Sequence, residues 1–158
     1  MIQLYKYIKE SLLDDEDVLM KDTGDEVIKN EILKFLKDNY IDVTKYKISK
    51  KPINGKYVVD CSHNLQVKNR NINSLTNGYF EFGVVNGYFD CSGCDSLTSL
   101  EGAPKEVSKF YCHHCNSLTS LKCAPKEVNG DFNCVHCKTQ FIEDDVKKVS
   151  KVKGKIFY

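Results

Sequence analysis

Between residues 88 and 140 the apolar positions follow one spacing three times. Phe89, Cys91, Cys94, Leu97 and Leu100 are echoed by Phe110, Cys112, Cys115, Leu118 and Leu121, and then by Phe132, Cys134 and Cys137 in a shortened third copy. The first two positions of each unit alternate with period two, as a short strand does, and the later ones step by three, which suits a turning return path. Leu-Thr-Ser-Leu and Ala-Pro-Lys-Glu-Val return in phase with the cysteines at 97 and 103 and again at 118 and 124. A fixed period in the twenties predicts a stack of units, each too small to bury its own apolar face and each leaning on the next. Alternation turns Asp90, Ser92, Lys109, Tyr111, His113, Asp131, Asn133 and Val135 outward. Adjacent strands would set these residues in rows about 4.8 Å apart, making one small face of mixed chemistry. Pro104 and Pro125 donate no ladder hydrogen bond and belong on the return segment.

Elsewhere the periods change. Leu4, Ile8 and Leu12, with Tyr5 beside them, form one helical stripe over residues 2–12. Ser11-Leu-Leu-Asp14 has capping-box spacing and predicts a second short turn before Asp22-Thr23-Gly24. A stronger helix is predicted from Asp25 to Asn39, with Ile28, Ile32, Phe35 and Leu36 as its buried stripe, acids in its first turn and lysines toward its end. Tyr46 and Ile48, a turn at Asn54-Gly55, the run Tyr57–Cys61 and Leu65-Gln-Val67 predict a small antiparallel region. Cys61-Ser-His-Asn64 can also be read there as a degenerate repeat strand. Ile72-Asn-Ser-Leu75 matches Leu97-Thr-Ser-Leu100, so the stack is predicted to begin near 72, with Phe80-Glu-Phe82 as an atypical first strand. Phe141, Val146 and Val149 share a helical face behind Glu143-Asp144-Asp145, and Val152 to Phe157 reads as a last strand; together these would shield the final repeat and block its edge. The expected class is α+β, divided as a helical segment over 1–44, the antiparallel region over 45–70, the stack over 71–140 and a cap over 141–158.

With 158 residues the chain can bury a true core without covalent staples. Its 23 basic and 22 acidic residues leave a net charge near zero, without the global basic footprint of a nucleic-acid binder. Asp14-Asp15-Glu16-Asp17 and the lysines at 147, 148, 151, 153 and 155 are local features, read as solvated faces. No apolar run approaches the ~18 residues of a membrane span, and the N-terminus lacks the design of a secretory signal. A reducing cytoplasm is therefore expected, with the eight cysteines as free thiols. Zinc is the rival reading of those cysteines, because Cys112, Cys115, Cys134 and Cys137 have the spacing of a four-thiolate site. The repeat, however, already wants a small side chain at each of these positions, and three pairs leave one over. No cofactor is expected. His113, His114 and His136 lie between the paired cysteines, yet no nucleophile elbow, HExxH or phosphate loop accompanies them, so no catalysis is expected.

The unit also resembles leucine-rich repeats of the short bacterial type, with Pro104-Lys-Glu-Val107 before the strand. That resemblance implies a solenoid with a parallel strand ladder, and puts Cys94, Cys115 and Cys137 in a slot whose small side chain bonds a neighbouring turn's backbone. Leu97-Thr-Ser-Leu-Glu-Gly-Ala-Pro-Lys-Glu-Val107, the Cys-x-x-Cys pairs and the closing Phe141 to Ile156 together resemble a family of small repeat proteins encoded by tailed bacteriophages of gut bacteria. Leu4-Tyr-Lys-Tyr-Ile8-Lys-Glu10 is similar to the capsid-targeting leaders of some phage proteins. The resemblance to phage proteins implies an origin more than an activity; the outward strand face is what implies a non-catalytic module, in the host bacterial cytoplasm, that binds a host or phage protein and blocks a host enzyme or defence component. The alternatives are a packaged or structural virion protein addressed by its first helix, and a zinc-stabilised repeat. An open strand edge expected near residue 80 allows either a monomer or a dimer.

Overall fold

The computed structural model describes residues 16–41 and 46–158, and over 16–23 the backbone alone. Helix α1 runs over Glu16–Asp38 and α2 over Glu143–Val149. The strands are β1 Tyr46–Ile48, β2 Tyr57–Cys61, β3 Leu65–Gln66, β4 Phe80–Asp90, β5 Glu106–Tyr111, β6 Glu127–Val128, β7 Phe132–Asn133, β8 Lys151–Val152 and β9 Ile156–Phe157. Every pairing except that of β1 with β2 is parallel. β2 and β3 both lie on β4, β4 lies on β5, β5 carries β6 and β7, and these carry β8 and β9. The chain is thus a β-solenoid of about four turns with two helices.

Register turns the repeat into columns. Cys61, Val85, Val107, Val128 and Val152 form one column across the rungs, and Leu65, Phe89, Phe110, Phe132 and Ile156 form another. Phe80, Phe82, Phe89, Phe110 and Phe132 are fully buried. Their rings run in a chain from helix to last full repeat: Phe35 to Phe80 at 5.6 Å, then 5.3, 5.4, 5.9 and 5.1 Å between successive partners. Edge-to-face and offset contacts at these spacings add to the burial itself. Behind the strands, matching turns close each corner, from the Leu97 N–H to the Cys94 carbonyl (3.0 Å) and from the Leu118 N–H to that of Cys115 (3.1 Å). Leu97, Leu100, Leu118 and Leu121 on this path fill the core from the other side.

Several expectations change. The stretch 45–70 is antiparallel only between β1 and β2; β2 and β3 already form the first parallel rung. The reason lies in side-chain alternation, since Tyr57, Val59, Cys61 and Leu65 point into the core and meet Phe80, Phe82, Val85 and Phe89. The stack therefore begins at residue 57, not 72; near residue 80 β4 pairs with β2 along one edge, and from Val84 onward with β5 along the other. At the far end α2 makes the corner of the final turn, and the stretch expected as one last strand forms two, β8 and β9, which pair in parallel along the edge of β6 and β7. Helix α1 begins earlier than Asp25 and continues through Asp22-Thr23-Gly24. The stripe expected over 2–12 and the turn at Ser11 lie outside the described residues.

The eleven-residue β4 pairs with its shorter neighbours through a register shift at each of two glycines, Gly83 and Gly87. A Cβ on Gly83 would run into the Asp60 carboxylate, and one on Gly87 into the Asn64 amide. Those two side chains instead accept the N–H groups of Val84 (2.7 Å) and Tyr88 (3.0 Å), bridging the rungs where the register shifts. Helix α1 docks through buried Ile32 and Leu36, with Ile28 and Phe35 packed beside them. Lys29 donates to the Lys50 carbonyl at 3.2 Å and stands 5.4 Å over the Tyr57 ring. Asn39 accepts from Asn69 at 2.9 Å, tying the helix end to the first corner. Among the described residues no helix is long and apolar enough to cross a membrane. Removing the Phe110 ring should open a cavity between two rungs, so Phe110→Ala is expected to cost about 3–5 kcal/mol in urea unfolding. A loss under about 1 kcal/mol would mean that the ring does not occupy the centre of the column.

Candidate functional site

Each strand ends in a corner built by the Cys-x-x-Cys pair, and the corner fixes where the outward residues stand. The second cysteine of each pair reaches back one turn. The Cys115 thiol donates to the Cys91 carbonyl at 3.2 Å and the Cys137 thiol to that of Cys112 at 3.1 Å, while Cys94 lies 3.7 Å from the Asn69 carbonyl. The first cysteine reaches forward, Cys91 to the Tyr111 carbonyl and Cys134 to that of Phe157, both at 3.5 Å. Burial pushes the Cys94 and Cys134 thiols up to about 12. Cys91 and Cys112 are held well above the ordinary thiol range, first by the hydrogen bond each makes to the thiol of the next turn, Cys115 and Cys137, and then by burial. Cys91, Cys94, Cys112 and Cys134 therefore stitch successive turns as protonated groups. Among the described residues no three His, Cys, Asp or Glu side chains gather as a metal site, and Cys112, Cys115, Cys134 and Cys137 are spread along this seam.

Between the cysteines the backbone must turn left-handed. Gly93 does so at φ 70°, and His114 and His136 occupy the same place in the next two turns at φ 56° and 55°. A side chain in that region is strained, of order 1 kcal/mol or more. The imidazoles consequently project together from the corner, His114 stacked on His136 at 4.8 Å and His113 edge-on to His114 at 5.2 Å.

The strand face itself is one ordered row. Gln66, Asp90, Tyr111, Asn133 and Phe157 stand in register across five rungs. Asp90 is held at both oxygens, by the Gln66 amide at 3.3 Å and the Ser92 N–H at 2.9 Å. Asn133 caps the Val135 N–H at 3.2 Å. Tyr111 stands between them with its ring 6.0 Å from that of Tyr88. A second row contains Tyr88 beside Lys109, whose ammonium lies 3.6 Å from Asp131. The Asp131 carboxyl is drawn below its usual range by the Lys155 N–H, which it accepts at 2.9 Å, and by Lys109. Of the eight residues expected on this face, Asp90, Tyr111 and Asn133 share one row, Lys109 and Asp131 share the other, and His113 and Val135 sit half-buried at the corner. Ser92 differs, because its hydroxyl oxygen is buried and lacks a hydrogen-bond partner.

Gln66, Tyr88, His114, His136 and Phe157 were not expected on the site. Tyr88 carried a usable signal, since it precedes Phe89 as Lys109 precedes Phe110 and Asp131 precedes Phe132. Gln66 and Phe157 belong to rungs without a Cys-x-x-Cys mark.

Fold and face together define a class, a parallel β-solenoid that displays a tyrosine-centred row beside a histidine corner. No known protein family matches the chain, and no curated protein or solved structure is significantly similar to it.

Two outcomes follow. Among the eight thiols, exposed Cys123 should react first with a maleimide. Half-exposed Cys137, drawn below its ordinary range by the hydrogen bond from Cys112, should react next, and the buried six only on unfolding. Rapid native labelling of Cys91, Cys112 or Cys115 would contradict the seam. Around neutral pH, His113 contributes a pH dependence: burial holds its imidazole below its ordinary 6.5, against the opposing pull of Asp90 and with help from His114 and His136. The folded chain binds that proton less readily than the unfolded chain, so its contribution is fully present above 6.5 and is lost as pH falls from there through the lower value that His113 has in the folded chain. His113→Gln should flatten the fall of the urea midpoint with acid; an unchanged slope would contradict this assignment.

Proposed function

We propose that this chain is a non-catalytic protein-binding module that engages a host or phage protein through its strand face. The observation that carries this is the Gln66–Asp90–Tyr111–Asn133–Phe157 row, ordered over five rungs and spanning about 19 Å. Its polar members are already fixed by hydrogen bonds, so little further ordering is needed when a partner docks. Tyr111 and Tyr88 supply a rigid amphipathic centre of the kind that dominates protein interfaces, and the flanking acids, lysine and imidazoles supply a polar rim. A solenoid also offers a wider regular face than a single sheet of its size, which suits a macromolecular ligand.

The phage origin of the chain and the leucine-rich-repeat character of its unit rest on the motifs quoted above, and they set the expected setting, a bacterial cytoplasm in which a host enzyme or defence component is bound. Packaging through residues 1–12 falls outside the described residues.

Tyr111→Glu combined with His113→Glu should abolish capture and cross-linking of the partner from infected cells, with the circular dichroism melt unchanged. Benzoylphenylalanine placed at Tyr88 should cross-link that partner, whereas the same group at Lys122 on the return path should not. Capture that survives the double substitution would place the binding surface elsewhere.

A further inference from the structure

Among the described residues the outer edge of the β8–β9 rung carries no strand. The N–H groups of Lys151 and Lys153 donate inward to the carbonyls of Lys126 and Val128, at 2.8 and 3.0 Å, and the carbonyls of Lys155 and Phe157 accept from Phe132 and Cys134, both at 2.9 Å. Alternation therefore turns the backbone groups of Val152 and Ile156 the other way, and among the described residues no strand pairs with that edge. The two core columns end at the same place: Val152 and Ile156, which would be sealed by another rung, are only half-buried. An unpaired edge beside an unfinished apolar column is a template for one more strand.

Charge says which strand. Lys151, Lys153 and Lys155 alternate along this rung on the outward side, all exposed. Down one column the charges run Glu106, Glu127, Lys151, and down another Lys109, Asp131, Lys155. In both columns the next rung calls for an acid. Lys153 donates to Asn129 at 2.6 Å, so it already spans two rungs. The opposite end of the stack, β1, carries Lys47 and is followed by Lys50 and Lys51. Joining two copies end to end would bring like charges together, as would pairing two last rungs, so a second copy is disfavoured at this edge.

We propose that the β8–β9 edge adds an extended segment of a partner protein in which acidic residues alternate with β-branched ones. The β-branched side chains continue the columns that end at Val152 and Ile156, the acids stand on Lys151 and Lys155, and the backbone completes the ladder by strand addition. This site lies apart from the tyrosine row and does not depend on that reading.

The test is fluorescence anisotropy with the full chain and a labelled peptide of alternating Glu and Val. Saturable binding that weakens with salt is expected. The same peptide with Gln for Glu should bind about tenfold more weakly or worse, and one with a central Pro should not bind, because the ladder donor is lost. Lys151→Glu with Lys155→Glu should reverse the preference toward a Lys-Val peptide, while Tyr111→Glu should leave it unchanged; melts confirm that each variant folds. The proposal is overturned by equal binding of the Gln peptide, by unaltered binding to the double variant, by absence of saturable binding, or by self-association of the chain through this edge.

Discussion

No turn of this chain can bury its own phenylalanine. A ring at Phe110 is covered only because Phe89 lies below it and Phe132 above, in register on parallel strands. Burying a side chain of this size is worth about 1.5–3 kcal/mol, which no single turn of twenty-odd residues could offset against its own ordering entropy. Stability is therefore a property of neighbours, as in other repeat stacks. The same requirement explains why α1 is present at one end. Its Ile32, Phe35 and Leu36 take the place of a missing rung and extend the aromatic chain into the helix. At the other end no comparable element covers Val152 and Ile156 among the described residues.

The cysteines follow from the same geometry. A parallel stack needs its corners tied from turn to turn, and a small side chain with a weak donor can sit inside the corner and bond the adjacent carbonyl without adding volume. A thiol does this at low desolvation cost. The consequence for the surface is direct: the corner forces a left-handed residue between the cysteines, glycine in the first pair and histidine in the next two. The histidine cluster is thus positioned by the fold's own closure, and the tyrosine row is positioned by the ladder it borders.

Much of this was legible in the sequence. Where Phe-x-Cys-x-x-Cys recurs, the period fixes inward and outward positions, and Asp90, Tyr111 and Asn133 fall in one row as alternation requires. The first rung was harder to see because Tyr57 to Gln66 has the strand alternation without the corner cysteines, and because the Asn54-Gly55 turn before it is a genuine antiparallel connection to β1. The register shifts in β4 were invisible for a different reason: Gly83 and Gly87 matter through Asp60 and Asn64, one full turn away in the chain. Similarly, Ser92 satisfies the outward spacing, yet its hydroxyl turns into the corner, and period alone does not report a rotamer. The role of the last strand depended on pairing direction, which an apolar run of that length does not encode.

Parallel, in-register stacking of the phenylalanine rungs is the claim on which the other conclusions rest, and multidimensional NMR of the isotopically labelled chain, recorded with a metal chelator present, tests it most directly. The account predicts amide-to-Hα cross-peaks of the parallel type linking the Phe89, Phe110 and Phe132 strands in that order, together with ring contacts between neighbours only. Antiparallel Hα-to-Hα cross-peaks between those strands, a direct contact between Phe89 and Phe132, or collapse of the spectrum on chelation would contradict it.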